Sequence, residues 1–158
     1  MEESVIDKIR EDKSAATEKR REIAAWAAVG LVDFSLISLL QMGYVRKLPD
    51  LPGDVFDTVK VNTSKDAVIM GMPDGVISLG AYAATMFLAM AGTRFKKRSK
   101  LIDLALGGIV LGQALGAAQY LYKMAFVQKK MCVYCVTGAV INFVSIKPAY
   151  KLITGQSS

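Results

Sequence analysis

The 158-residue chain is 53% hydrophobic, carries a formal net charge of +6, and contains two cysteines and no histidine. That excludes histidine-ligated haem, imidazole zinc sites and histidine general bases, and two cysteines alone make a poor metal site. The positive charge does not point to nucleic acid: the cations flank apolar blocks, where anionic lipid heads attract them, and no basic patch interleaved with aromatics is present.

Residues 1–22 read as a cytoplasmic segment of alternating charge, either amphipathic and membrane-lying or solvated. No cleavable signal peptide is expected, because the first apolar block follows this long charged stretch. Four apolar blocks come next. Ala24–Met42 contains the single charge Asp33, and Met72–Gly92 contains Asp74. Leu101–Tyr122 contains Asp103 near its start, and Met131–Ile146 contains none. Roughly 20 mainly apolar residues cross a bilayer. The fourth block reaches that length if it continues past Lys147 and Pro148 to Ile153, with its lysines snorkelling. The blocks are apolar all round, unlike the helices of a soluble core.

The first connection, Gly43–Gly71, is the longest and is expected to pack on the bundle as a lid. Leu48 to Asp54 reads as turns, and Asp54 is expected to cap a short helix over Val55–Val61. Ser64 is expected to cap the next short segment. In the third block, Gly108, Gly112 and Gly116 lie four apart and predict a smooth stripe for close helix packing. Gln113 and Gln119 in the same block are candidates for bonds across the bundle or to a polar ligand. Asp33 is expected to bond to Gln113, Gln119 or Ser35 or to be neutral, with a polar contact inside the bundle favoured over a proton relay. Lys123–Lys130 predicts a short loop joining the last two helices as a hairpin.

Thirteen cations fall on one side of this topology: Lys8, Arg10, Lys13, Lys19, Arg20, Arg21, Arg94, Lys96, Lys97, Arg98, Lys100, Lys147 and Lys151. Seven fall on the other: Arg46, Lys47, Lys60, Lys65, Lys123, Lys129 and Lys130. The positive-inside rule then places both termini in the cytoplasm and the cysteines at the extracytoplasmic face. In a bacterial plasma membrane that face is oxidising, and disulfides persist there.

The two cysteines form Cys132-Val133-Tyr134-Cys135 at the start of the fourth block. The spacing suits an internal disulfide on a first helical turn, where amide N–H groups favour a thiolate, the reactive form in exchange. The plainer reading is a pair of buried apolar cysteines. Cys132 is expected to be the exposed, attacking thiol, with Cys135 one turn deeper.

Taken together, Gly30-Leu31-Val32-Asp33-Phe34-Ser35, the passage from Ser64 through Gly71-Met72-Pro73 to Tyr82, and Cys132 through Thr137 resemble the vitamin K epoxide reductase family, over about residues 20–150. The resemblance implies a four-helix bundle around a quinone of the ubiquinone or menaquinone type. It implies Cys135 facing the ring and Cys132 exchanging disulfides. Ser64 would match the serine before the second helix, Asp74 a hydrogen-bond donor to the quinone carbonyl, and Tyr82 a further residue of that passage. Asp74 has a second reading, as a helix-start residue favoured by the dipole. The chain departs from the family in lacking a cysteine pair in the first loop. The nearer position falls at Thr58 and the other around Asp50. Ala139 stands where the family has a tyrosine.

The expectation is therefore an all-α integral plasma-membrane protein. It comprises a cytoplasmic segment 1–22, a four-transmembrane-helix domain 23–153 whose long first external loop carries a short helix, and a tail 154–158. Its implied function is quinone-linked thiol–disulfide oxidoreduction, with catalytic Cys132 and Cys135 and cofactor contacts from Asp74, Ser64 and Tyr82. Its partners would be lipid, quinone, and a thioredoxin-like periplasmic protein or other membrane subunits. The alternative is a catalytically degenerate accessory or structural subunit of a larger membrane complex.

Overall fold

The structure, a computed structural model, describes residues 4–91 and 100–155. Arg94, Lys96, Lys97 and Arg98 of the second basic cluster lie outside the described residues, as do the ends of both tails. A short helix, α1 (Val5–Glu11), starts at Ser4, whose side chain accepts from the Asp7 N–H. It ends at Asp12, and Ser14 caps the next helix by accepting from Thr17 N. Each cap satisfies an amide that has no partner inside its helix.

That next helix, α2, runs from Ala15 to Gln41, so the basic segment and the first apolar block share one rod. At 1.5 Å per residue it is about 40 Å long, more than a bilayer's hydrocarbon core. The long helices continue with α4 (Asp74–Ala91), α5 (Lys100–Tyr122) and α6 (Val133–Thr154). Among the described residues, three helical stretches are long and apolar enough to cross a membrane: α2, α4, and α5 with its extension to Gln128. The molecule is thus an all-α membrane protein. In α6, Asn142 and Lys147 interrupt the apolar run, yet the helix continues through Pro148 and closes at Gly155, in the left-handed region at φ +70.

The four long helices form a closed ring in which α2 packs on α4 and α6, and α5 packs on the same two. Glycines make the α2 contacts close. A Cβ at Gly30 would meet the Tyr82 ring at 2.5 Å, and one at Gly138 would meet the Phe34 ring at 2.5 Å. The glycine stripe of α5 does something else. Gly108, Gly112 and Gly116 have no neighbour within 4 Å of a built Cβ, so no helix seats on them; Gly107 instead faces Ile153.

The first connection differs in detail from expectation. Its helix, α3 (Thr58–Asn62), is capped by Asp57, which accepts from Lys60 N at 3.0 Å, rather than by Asp54. The reason is that Phe56 is bridged to Met131: Met131 N donates to Val55 O at 2.8 Å and Asp57 N to Met131 O at 3.0 Å. Ser64 sits at the start of a 3₁₀ turn (Lys65–Ala67) without a side-chain cap bond. A two-residue hairpin follows, β1 (Val68–Ile69) with β2 (Met72–Pro73), turning on Met70 and Gly71 at φ 52 and 81. The expected loop at Lys123–Lys130 is mostly helical, because a π-type turn over Lys123–Gln128 prolongs α5.

Across the diagonal of the ring, Arg20 of α2 forms an ion pair with Asp103 of α5, and both side chains are almost fully buried. Removing one partner of such a pair is far more harmful than replacing both. Arg20→Ala is expected to lower stability by about 3 kcal/mol. Arg20→Met combined with Asp103→Leu recovers most of it, as measured by thermal unfolding in detergent.

Candidate active site

Cys132 occupies the N-cap of α6, and its sulfur accepts the Cys135 N–H at 3.2 Å. Both cysteines are free thiols with sulfurs 2.7 Å apart. A helix start is the place where backbone amides converge on a sulfur, as the spacing predicted. The exposure is not as predicted: Cys132 is 0% exposed and Cys135 9%. The outer sulfur is covered because the first connection folds over it, bringing Val61 and Asn62 of α3 against the pair.

Two further ties hold this cover down. Thr58 donates through Oγ1 to the Asp50 carboxylate and through its N–H to the same group at 3.1 Å. Tyr134, between the two cysteines, donates to Pro49 O at 3.1 Å. Asp50 and Thr58, the two loop positions where the resemblance leads one to look for cysteines, are therefore bonded to each other.

Beneath the pair is a cavity of about 400 Å³, within the range of small-molecule sites. Most of its wall comes from α4 and α5, with Phe34, Asn62 and Ile69 at its sides and Cys135, Ala139 and Asn142 from α6. The bare backbone at Gly112 and Gly116 widens it, which is the use of the glycine stripe that sequence alone assigned to packing.

Asp74 lines the cavity and accepts from Gln41 Nε2 at 2.6 Å; Gln41 Oε1 in turn accepts from Gly75 N at 3.1 Å. Tyr120 lines the cavity as well, with its hydroxyl donating to Val61 O at 3.4 Å. Tyr82 also lines the cavity, with its hydroxyl spent on Asn142 Oδ1 at 2.7 Å and Gly138 O at 3.1 Å. Ser64 is elsewhere: it donates to Val61 O at 2.8 Å, accepts from Gln128 at 3.2 Å, and does not line the cavity.

Asp33 is buried against α6, and its Oδ2 makes no hydrogen bond. The partners expected for it are engaged differently: Gln113 donates to Thr85 at 2.8 Å and Ser35 to the backbone of its own helix. Asn62, Gln41, Tyr120 and Asn142 were not singled out from sequence. Asn142 had a visible signal, a carboxamide inside an uncharged apolar block. Asn62 had none, since its relation to the pair exists only once the loop has folded back.

An all-helical membrane chain with a Cys-x-x-Cys pair above an apolar cavity defines a class of membrane thiol proteins. The family model described as the vitamin K epoxide reductase family matches residues 22–147, and the chain belongs to that family. Comparison with curated proteins yields no match. At the level of the family, the activity is membrane quinone-linked thiol oxidoreduction.

Two expectations follow from the cover. Thr58→Val removes a hydroxyl tie worth about 1 kcal/mol, so alkylation of the cysteine pair by iodoacetamide should quicken roughly fivefold. Asp66, next to the hairpin, has its carboxyl held below the ordinary range, chiefly by the Gln128 side chain and then by Lys123 at 3.2 Å. A depressed carboxyl stabilises its contacts above its unfolded-state pKa and loses that contribution as pH falls through the lower folded-state value. Hydrogen exchange over residues 65–72 is therefore expected to rise, beyond its intrinsic pH dependence, on acidification through that window.

Proposed function

We propose that this chain is an integral membrane thiol–quinone oxidoreductase in which Cys132 and Cys135 cycle between dithiol and disulfide. The observation that carries this reading is the position of Cys135 in the wall of an apolar cavity, with Cys132 on its outer side. In the forward step two thiols give up two electrons and two protons. The sulfurs join as a disulfide and the quinone becomes a quinol. In the return step a reduced partner protein supplies two thiols, becomes a disulfide itself, and restores the dithiol.

Asp74, with Tyr120 and Gln41 beside it, is the proposed polar contact for a quinone oxygen, and Tyr82 a wall of the ring pocket. Ser64 has only an indirect role in this reading, through Gln128. The charge distribution supports four crossings, with α6 as the fourth, both termini in the cytoplasm and the pair at the extracytoplasmic face of a plasma membrane. A thioredoxin-like periplasmic protein is the proposed electron donor. The domain division keeps 1–22 as the cytoplasmic part and 23–153 as the quinone-binding bundle.

The complete burial of Cys132 favours a second reading, a catalytically degenerate accessory subunit whose thiols no partner reaches. One experiment separates the two. Cys132→Ser and Cys135→Ser are each expected to lower quinone reduction by at least about a hundredfold in proteoliposomes supplied with a dithiol. Only Cys135→Ser should retain a trapped mixed disulfide. Unchanged turnover in both variants, or co-purification of stoichiometric membrane partners with an inert pair, supports the accessory role instead.

A further inference from the structure

The side-chain amide of Asn62 lies against both sulfurs. Its Nδ2 donates to Cys132 Sγ at 3.2 Å, and its Oδ1 faces the Cys135 thiol at 3.6 Å. An amide has one donor end and one acceptor end, so it treats its two neighbours differently. Which end faces which sulfur is fixed by a third partner: Nδ2 also donates to Thr58 O at 2.8 Å, a carbonyl that would repel Oδ1 if the amide were turned over. The residue itself is held by Gln41, which donates to Asn62 O at 3.2 Å, and only 3% of it is exposed.

We propose that Asn62 is the positioning residue of the pair, fixing Cys132 as the sulfur that carries negative charge and Cys135 as the one that keeps its proton. A thiolate at Cys132 accepts from Nδ2 and from the Cys135 N–H, while a thiol at Cys135 has two acceptors for its proton, the Cys132 sulfur at 2.7 Å and Oδ1 at 3.6 Å. The reverse assignment sets N–H against S–H and a carbonyl oxygen against a thiolate. This inference goes beyond the function proposed above and rests on it only in treating the pair as redox-active.

The consequence falls on one step of exchange with a partner dithiol. A partner thiolate attacks Cys132 of the disulfide, and Cys135 leaves with the electron pair and takes up a proton. The partner's second thiolate then attacks the partner sulfur of the mixed disulfide, and the bond to Cys132 breaks with its electrons passing to Cys132. Asn62 Nδ2 and the helix amide receive that charge, and a better-stabilised thiolate leaves faster.

The test uses the full-length chain in detergent, with Asn62→Leu and the isosteric Asn62→Asp. The first readout is the ultraviolet thiolate absorbance of the reduced protein against pH. The second is the disulfide equilibrium in glutathione buffers. Asp74, Tyr120, Tyr134 and Asp50 surround the pair and are unchanged in both variants. Asn62→Leu is expected to raise the midpoint of the first thiolate by about one pH unit. Above that midpoint it should favour the disulfide about tenfold, because the reduced form has lost its donor. Asn62→Asp is expected to move both in the same direction and further, since it sets a second acceptor against the thiolate. A cooperatively melting variant whose titration and glutathione equilibrium match wild type overturns the assignment. So does loss of cooperative melting in both variants, which makes Asn62 a packing residue. Neither readout uses a quinone: an inert wild-type pair in the quinone assay sinks the proposed function and leaves this assignment standing, and the converse result does the opposite.

Discussion

Met131 is the hinge on which the site is assembled. Its N–H and C=O, bonded to Val55 and Asp57, clamp the long first connection against the residue just before the cysteine pair. Everything above the sulfurs follows from that clamp. It holds Phe56 in a bridge to Met131, so the helix starts only at Thr58, and that start places Asn62 four residues on, over the sulfurs. A loop backbone with its polar groups satisfied in this way can be buried without penalty, which an unpaired one cannot.

The site divides into two regions with different physics. Above, the pair lies in a small polar network of Asp50, Thr58, Asn62 and Gln41, where directional bonds set geometry. Below, the cavity is walled mostly by apolar side chains and bare glycine backbone, with polar groups at Asn62, Asp74, Ser78, Gln113, Tyr120 and the Tyr82–Asn142 pair. Cys135 sits on the boundary. That division suits the quinone-linked thiol chemistry proposed for the pair.

Much of the architecture was legible in the sequence, because transmembrane length and apolar continuity are local properties. The four blocks became the four long helices, the cysteines fell at a helix start, and the first connection folded over the bundle. The misses were long-range. Cys132 reads as exposed if one counts turns from the membrane surface, and it is buried because residues seventy positions earlier cover it. The glycine spacing in α5 carries the same sequence signal whether a helix or an empty space faces it, and here Gly112 and Gly116 face the cavity. Asp33 was expected to meet Gln113, Gln119 or Ser35, but its side chain turns toward Gly138 of α6 instead.

The sulfur inventory of this chain sets its stoichiometry. With two cysteines in all, it holds a single pair of reducing equivalents and has no second internal site on which to store or queue them. A reductive titration of the isolated chain therefore has one two-electron step and one endpoint. Any sulfur-borne capacity beyond that endpoint comes from outside these 158 residues.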